Sequence, residues 1–226
     1  MKTFLFLLTL ISVTSGCREK PDTEIADREY KDILIEVAKR GYDRGLYWGT
    51  GGDISVRVAG TDRFIIKASM TCMGDLDYSK LVTVDLSGDT LEGGEPSHET
   101  AIHREIYKMR PNVGAILHMH SPFATAWGCV GKTIPPVTQQ SVTLFKDMGI
   151  VPFYPVGSDD LVNAVSAKYE TPTTQVVLME NHGTFVVGND LYSLLYNAEK
   201  VENTAKIAYI ANSLGTVKEF EAIVVY

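Results

Sequence analysis

The chain has 226 residues, 45 % of them apolar, with 21 basic and 28 acidic side chains giving a formal net charge of −7. That length can bury one large core, and an acidic balance with scattered basic residues argues against nucleic acid or an anionic membrane surface as a partner held by charge. After the first seventeen residues no apolar run approaches a transmembrane length, and no repeat or low-complexity tract occurs.

Those first residues stand apart. Lys2 gives a positive start, Phe4 to Val13 is a short apolar core, and Thr14-Ser15-Gly16-Cys17 follows with small residues. This is the pattern of an export signal, too short to remain as a spanning helix. The Ser-Gly-Cys ending also resembles a bacterial lipobox, in which Cys17 would carry lipid and hold the protein to a membrane. The expected location is therefore extracytoplasmic, periplasmic or lipid-anchored. The alternative is a cytoplasmic protein whose translation starts further along. Residues 18–22 read as a polar linker, leaving 23–226 as one domain. Cys72 and Cys129 lack CxxC spacing and could form one bridge in an oxidising compartment.

From Thr23 to Leu46, Ile25, Ile33, Leu34, Val37 and Ala38 recur at helical spacing, and Gly41 and Gly45 loosen the end. Trp48-Gly49-Thr50-Gly51-Gly52 is a glycine-rich turn leading into an alternating strand, Ile54, Val56, Val58. Backbone N–H groups of Gly51 and Gly52 could cradle an anion there; a plain tight turn is the commoner use of such a sequence. Strands follow at Phe64–Lys67 and Leu81–Leu86, and the Ser87-Gly88-Asp89 turn sends the chain back toward Glu92, an antiparallel meander. Pro96-Ser97-His98-Glu99-Thr100 leads into a helix through Met109, with Ser97 expected as its N-cap and Glu99 in its first turn.

The apolar run from Asn112 ends in His118-Met119-His120 and is stopped by Pro122. Later segments alternate: helix from Pro122 to Trp127, extended chain at Thr133–Val137, helix at Gln139–Asp147, strand at Ile150–Tyr154, and helix at Ser158–Tyr169. Strands at Val176–Met179 and Thr184–Gly188 and a long helix at Asn189–Leu214 complete the chain. An early meander followed by alternating strands and helices predicts a mixed, largely antiparallel sheet between helical layers, an α/β/α sandwich.

Side chains two apart on a strand share a face, so His118 and His120 should emerge side by side. Such a pair can simply cap a strand, but His182 stands in a second strand-end setting and Glu99 opens a helix upstream. Three imidazoles and a carboxylate make the ligand set of a catalytic zinc site.

Gly-Asp-Ile-Ser-Val-Arg (52–57), Pro-Ser-His-Glu (96–99), His-Met-His-Ser-Pro (118–122) and Glu-Asn-His-Gly (180–183) together resemble the class II aldolase/adducin-like family, and within it the fuculose-1-phosphate aldolases. The resemblance spans about residues 24 to 214. It implies zinc, one ion per chain, on His118, His120 and His182, with Glu99 as the catalytic carboxylate. It implies a lyase in which zinc acts as a Lewis acid toward the enediolate of a small polyhydroxy carbonyl compound while Glu99 moves protons. Decarboxylases, epimerases and dehydratases share the fold, and the adducin head is a non-catalytic relative. The resemblance also implies a homotetramer.

Several positions depart from the family pattern. Asp53 stands where a neutral Asn is usual, Ser69-Met70 where a hydroxyl residue and Gly are usual, and His98 where a small hydroxyl residue is common. With Gly51, Gly52 and Ser97, these positions are expected to bind substrate. A carboxylate beside a phosphate is repulsive, so a sugar or sugar acid without phosphate is the expected substrate. In the fuculose-1-phosphate aldolases a tyrosine from the neighbouring subunit is the proton donor; aligned from His120, its place falls at Gln139 in this chain, and Tyr209 and Tyr226 are not assigned to that role.

Overall fold

The computed structural model describes residues 23–218; the signal-like segment, the linker and Tyr226 lie outside the described residues. Eight strands form one sheet: β1 (Asp53–Val58), β2 (Arg63–Lys67), β3 (Leu81–Asp85), β4 (Thr90–Glu92), β5 (Ala115–Met119), β6 (Gly149–Val151), β7 (Val176–Met179) and β8 (Thr184–Gly188). Their order is β4-β3-β2-β1-β5-β8-β7-β6. Every neighbouring pair is antiparallel except β6 with β7.

Among the described residues six α-helices cover the two faces: α1 (Thr23–Asp43), α2 (Thr100–Met109), α3 (Pro122–Cys129), α4 (Gln139–Leu144), α5 (Asp159–Lys168) and α6 (Leu191–Leu214). One core joins Leu34 and Val37 of α1, Ala124 of α3, Leu144 of α4, and Leu194 and Val201 of α6 to Ile54, Val56, Leu117 and Val186 of the sheet. The opposite core joins Ile102 and Ile106 of α2 and Val165 of α5 to Ile66, Val84, Ile116 and Phe185. The expected α/β/α sandwich is the observed architecture.

Local chemistry explains most boundaries. Ser158 accepts the Leu161 N–H, and Asp159 and Asp160 complement the start of α5. Asp190 and Ser193 close a reciprocal cap on α6. The start of α3 is served from a distance, since the Glu202 carboxylate of α6 accepts the Phe123 and Ala124 N–H groups at 2.9 Å each. Among the described residues no helix is long and apolar enough to cross a membrane.

Some boundaries differ from the sequence reading. α1 stops at Asp43, and Gly45 at φ +72 turns the chain instead of continuing to Leu46. α4 ends at Leu144 because the chain reverses through Asp147 at φ +58. β6 occupies Gly149–Val151, since Pro152 has no N–H to extend the ladder. Ser97 is not the N-cap of α2. Glu99 holds that place without a side-chain capping bond, and the Ser97 carbonyl instead takes the Thr100 N–H and hydroxyl. Cys72 and Cys129 are both unpaired.

Candidate metal centre

β5 lies at the middle of the sheet between β1 and β8, with His118 near its end and His120 just beyond it. His118 is fully enclosed and stacks on Phe185 with ring centroids 4.7 Å apart. Its Nδ1 faces the Thr184 carbonyl at 3.3 Å. A proton on Nδ1 leaves the Nε2 lone pair free. His120 turns back so that its Nε2 lies 2.8 Å from His118 Nε2. His182 comes from the turn joining β7 to β8, where Asn181 takes φ +53. The ligand atoms of His118, His120 and His182 all fall within 4.8 Å of one another.

Glu99 closes the group from the start of α2. Its Oε2 is 2.9 Å from His118 Nε2 and its Oε1 is 3.7 Å from His182 Nε2. The buried Oε1 has no hydrogen-bond partner, a costly state for a carboxylate oxygen unless a cation completes it. Imidazole lone pairs converging beside an unsatisfied carboxylate fit a divalent metal ion.

The electrostatics agree. Burial, reinforced by His118 and His182, pushes His120 down to about 3. Burial and His118 likewise lower His182. Both rings are therefore neutral near pH 7, as ligation requires. Burial would lower His118 too, but Glu99 and Asp53 outweigh it and raise that ring. Burial would raise Glu99, and His118 overrides it, so the carboxyl is held below its usual value.

Close packing sets the glycines. A Cβ on Gly51 would sit 2.7 Å from His120 Nδ1, and Gly52, at φ +75, passes 2.6 Å from the His118 carbonyl by the same measure. Their bare backbones thus seat the two histidines, beyond any contact with substrate.

Beside the histidines opens a cleft of about 210 Å³ lined by Gly51, Gly52, Ser69, Met70, Ser97 and His98, among others. All the positions expected to bind substrate border it, but their roles differ. Asp53 does not present its charge to the cleft; its side chain is only 2 % exposed. Its Oδ1 lies 2.7 Å from His103 Nε2, and its Oδ2 accepts the Ser97 hydroxyl at 2.5 Å. Burial alone would raise Asp53, yet His103, His118 and the Ser97 hydroxyl hold it far below the carboxylate range. The Asp53 carboxylate is thus held at the back of the cleft by His103 and Ser97 rather than standing open beside a bound group. Ser69 Oγ approaches His98 Nε2 at 3.3 Å, and Met70 is 73 % exposed at φ +56. Gln139 is exposed at the start of α4, and Tyr209 packs on Phe123.

Two residues that matter here were not singled out from sequence. Lys67 is buried and donates to the Thr50 and Thr71 carbonyls at 2.9 and 2.8 Å, tying the glycine-rich turn to the loop after β2. His103 is the remaining histidine of five, four residues after Glu99 and so on the same side of α2. That spacing was its available signal. Three larger clefts lie away from the histidines, two of about 430 and 500 Å³ around Asn112 and Val113 before β5 and one of about 300 Å³ between Arg44, Phe123 and Glu202. Among the described residues the one group of side chains arranged to ligate a metal borders the smaller cleft, which is therefore the candidate site.

Comparison with known proteins points the same way. Residues 32–209 match the profile described as Class II Aldolase and Adducin N-terminal domain. The chain is 30 % identical over 190 residues to a 3-oxo-tetronate 4-phosphate decarboxylase of Haemophilus influenzae, covering 82 % of this chain and 89 % of that protein. It is 29 % identical over 182 residues to an L-fuculose phosphate aldolase of Methanococcus maripaludis, covering 80 % and 97 %. A solved L-fuculose 1-phosphate aldolase superposes with a TM-score of 0.80 at 27 % identity, covering 85 % of this chain and 91 % of that one.

Proposed function

The chain belongs to the class II aldolase and adducin N-terminal domain family, and from that premise we propose that it is a zinc-dependent carbon–carbon lyase of aldolase type. The substrate is a small polyhydroxy carbonyl compound. The observation that carries this reading is the convergence of His118, His120 and His182 on one point with the unsatisfied Glu99 oxygen. An adducin-like module with no chemistry to perform has no use for a buried carboxylate left without a partner.

His118, His120 and His182 would hold the ion through their ring nitrogens. The ion, when bound, supplies Lewis acidity toward the oxygens of an enediolate, lowering the cost of the negative charge that C–C cleavage leaves on the substrate. Glu99 holds or returns the proton at the enediolate carbon. Phe185 stacked on His118 and the Gly51 backbone against His120 keep these imidazoles from rotating, and burial excludes water from behind the carboxylate.

A second reading is favoured by what surrounds the histidines. Among the described residues no tyrosine lines the cleft, so Glu99 and the exposed His98, rather than a phenol, are the acid–base groups beside the histidines. Retro-aldol cleavage must take a hydroxyl proton and return one to carbon, whereas decarboxylation of a β-keto acid leaves only the second transfer. The similarity to a protein named as a decarboxylase supports the same alternative. Incubation with candidate ketoses and 3-keto acids separates them, since aldol cleavage yields two carbonyl fragments and decarboxylation releases carbon dioxide. Turnover of neither class by zinc-loaded protein would refute the lyase reading.

The proposed substrate carries no phosphate. The similar proteins bear phosphate in their names. Here, however, the Lys67 ammonium is spent on two carbonyls, and exposed Met70 crowds the cleft. The proposed assembly is a homotetramer, supported by exposed Trp48, Phe153 and Val156, apolar side chains that a neighbouring subunit would cover. Export and a lipid on Cys17 are proposed from residues 1–17 alone, and the mass of the mature N-terminus tests both.

A further inference from the structure

Behind the cleft, between β1 and α2, runs a buried chain of polar side chains that the proposed chemistry does not use. β1 alternates, so Ile54, Val56 and Val58 face one core while Asp53, Ser55 and Arg57 face α2. There Ser55 Oγ lies 2.8 Å from the Tyr107 hydroxyl and 2.7 Å from His103 Nδ1. His103 Nε2 lies 2.7 Å from Asp53 Oδ1, and Ser97 Oγ lies 2.5 Å from Asp53 Oδ2. Ser55 and His103 are completely enclosed, and Tyr107 and Asp53 are 1 % exposed. Asp53 borders the back of the cleft and Ser97, only half-buried, is the more open end of the chain there.

The direction of this chain follows from donor and acceptor capacity. Among the described residues Ser55 is the only partner of the Tyr107 hydroxyl, and a buried O–H must donate. Tyr107 therefore donates to Ser55, Ser55 to His103 Nδ1, and His103 Nε2–H to Asp53. A carboxylate only accepts. The Ser97 hydroxyl, on its other oxygen, has to donate as well, and the Ser97 oxygen takes the Glu99 N–H at 3.3 Å.

We infer that Asp53 is a specificity-determining residue: fixed by His103, it draws the Ser97 hydroxyl hydrogen inward and withholds that donor from any anionic group of a substrate in the cleft. Asparagine at this position would act in the opposite sense. Its oxygen would take the His103 N–H, its NH₂ would meet Ser97 Oγ, and the serine, now an acceptor, would turn its own hydrogen toward the cleft. The reversed amide would have to accept from Ser97 and donate to His103, leaving the buried Tyr107 hydroxyl hydrogen without a partner. One side chain thus sets whether the cleft offers a hydroxyl donor to an anion.

This inference rests on the cleft being the substrate site, but its test does not need turnover. Inorganic phosphate is titrated calorimetrically into the zinc-loaded parent, Asp53→Asn, and the double variant Asp53→Asn with Ser97→Ala. Asp53→Asn should bind phosphate roughly ten- to a hundredfold more tightly, the range expected for a hydrogen bond to a charged group. The double variant should lose that gain. No gain in Asp53→Asn would overturn the inference, and so would a gain kept by the double variant, which would trace it to the lost negative charge. Should Asp53→Asn fail to fold, Ser97→Ala in the parent decides. A hydroxyl already withheld should change phosphate affinity by less than about twofold, and a larger loss would overturn the inference. Failure here would leave the lyase reading standing, because that reading is tested by products.

Discussion

Gly183 follows His182 in the turn between β7 and β8, and alanine there tests whether backbone closeness builds the metal centre. A Cβ at this position would lie 2.5 Å from the Met119 carbonyl oxygen, 2.6 Å from His120 Cδ2 and 2.9 Å from His118 Cε1. Ordinary contact is about 3.5 Å, so the His120 ring would have to retreat by roughly 0.9 Å. The Met119 carbonyl cannot give way freely, because Met119 is paired with Thr184 in the ladder between β5 and β8. Metal–ligand distances tolerate only about 0.2 Å. We expect zinc affinity to fall at least as far as it does when a ligand's support is lost, roughly ten- to a hundredfold. Overpacking should cost the metal-free protein about 1–3 kcal/mol, a fall in Tm of roughly 2–12 °C for a chain of this size. Competition with a chelating dye measures the first quantity and thermal melting in excess chelator the second. Gly94→Ala is the control, since nothing lies within 4 Å of its Cβ position. Parental zinc affinity and Tm in Gly183→Ala would refute the reasoning.

Replacing His182 with Ala should weaken metal binding severely and abolish turnover; parental zinc affinity in that variant would disprove the coordination proposed. Glu99→Gln should keep most of the metal while the rate falls by roughly two orders of magnitude or more, and near-parental turnover would remove Glu99 as the acid–base group. In metal-free protein, burial and the neighbouring His118 and His182 push His120 from its usual 6.5 down to about 3, so its contribution is complete above 6.5 and is lost as pH falls toward 3. Between pH 7 and 5 the parent should therefore lose about 2 kcal/mol relative to His120→Asn. His118, whose pKa is raised, works in the opposite direction in both proteins. Denaturant melts at the two pH values would show parallel losses if His120 were not held neutral. Light scattering should give four chains per particle, and an active monomer at micromolar concentration would defeat the assembly proposed.

Much of the architecture was written locally. Strand period in 52–58 and 115–119, helical period in α1 and α6, and the caps at Ser158 and Asp190 need only near neighbours to be read. His118 and His120 could be placed on one face by strand geometry alone, and His182 and Glu99 joined them through residue type and setting.

What the sequence could not supply depends on which element lies against which. The side chains of Asp53, Ser55 and Arg57 read as the solvent face of a half-buried strand until α2 covers them with His103 and Tyr107. Lys67 reads as a strand-end cation until folding brings the Thr50 and Thr71 carbonyls to its ammonium. Ser97 has the residue type and spacing of a helix cap, yet a carboxylate 44 positions earlier in the chain claims its hydroxyl. Periodicity and capping act over a few residues and are legible in order along the chain. Hydrogen bonds between buried side chains act over a few ångströms, and only the tertiary structure decides which distant residues come within that reach.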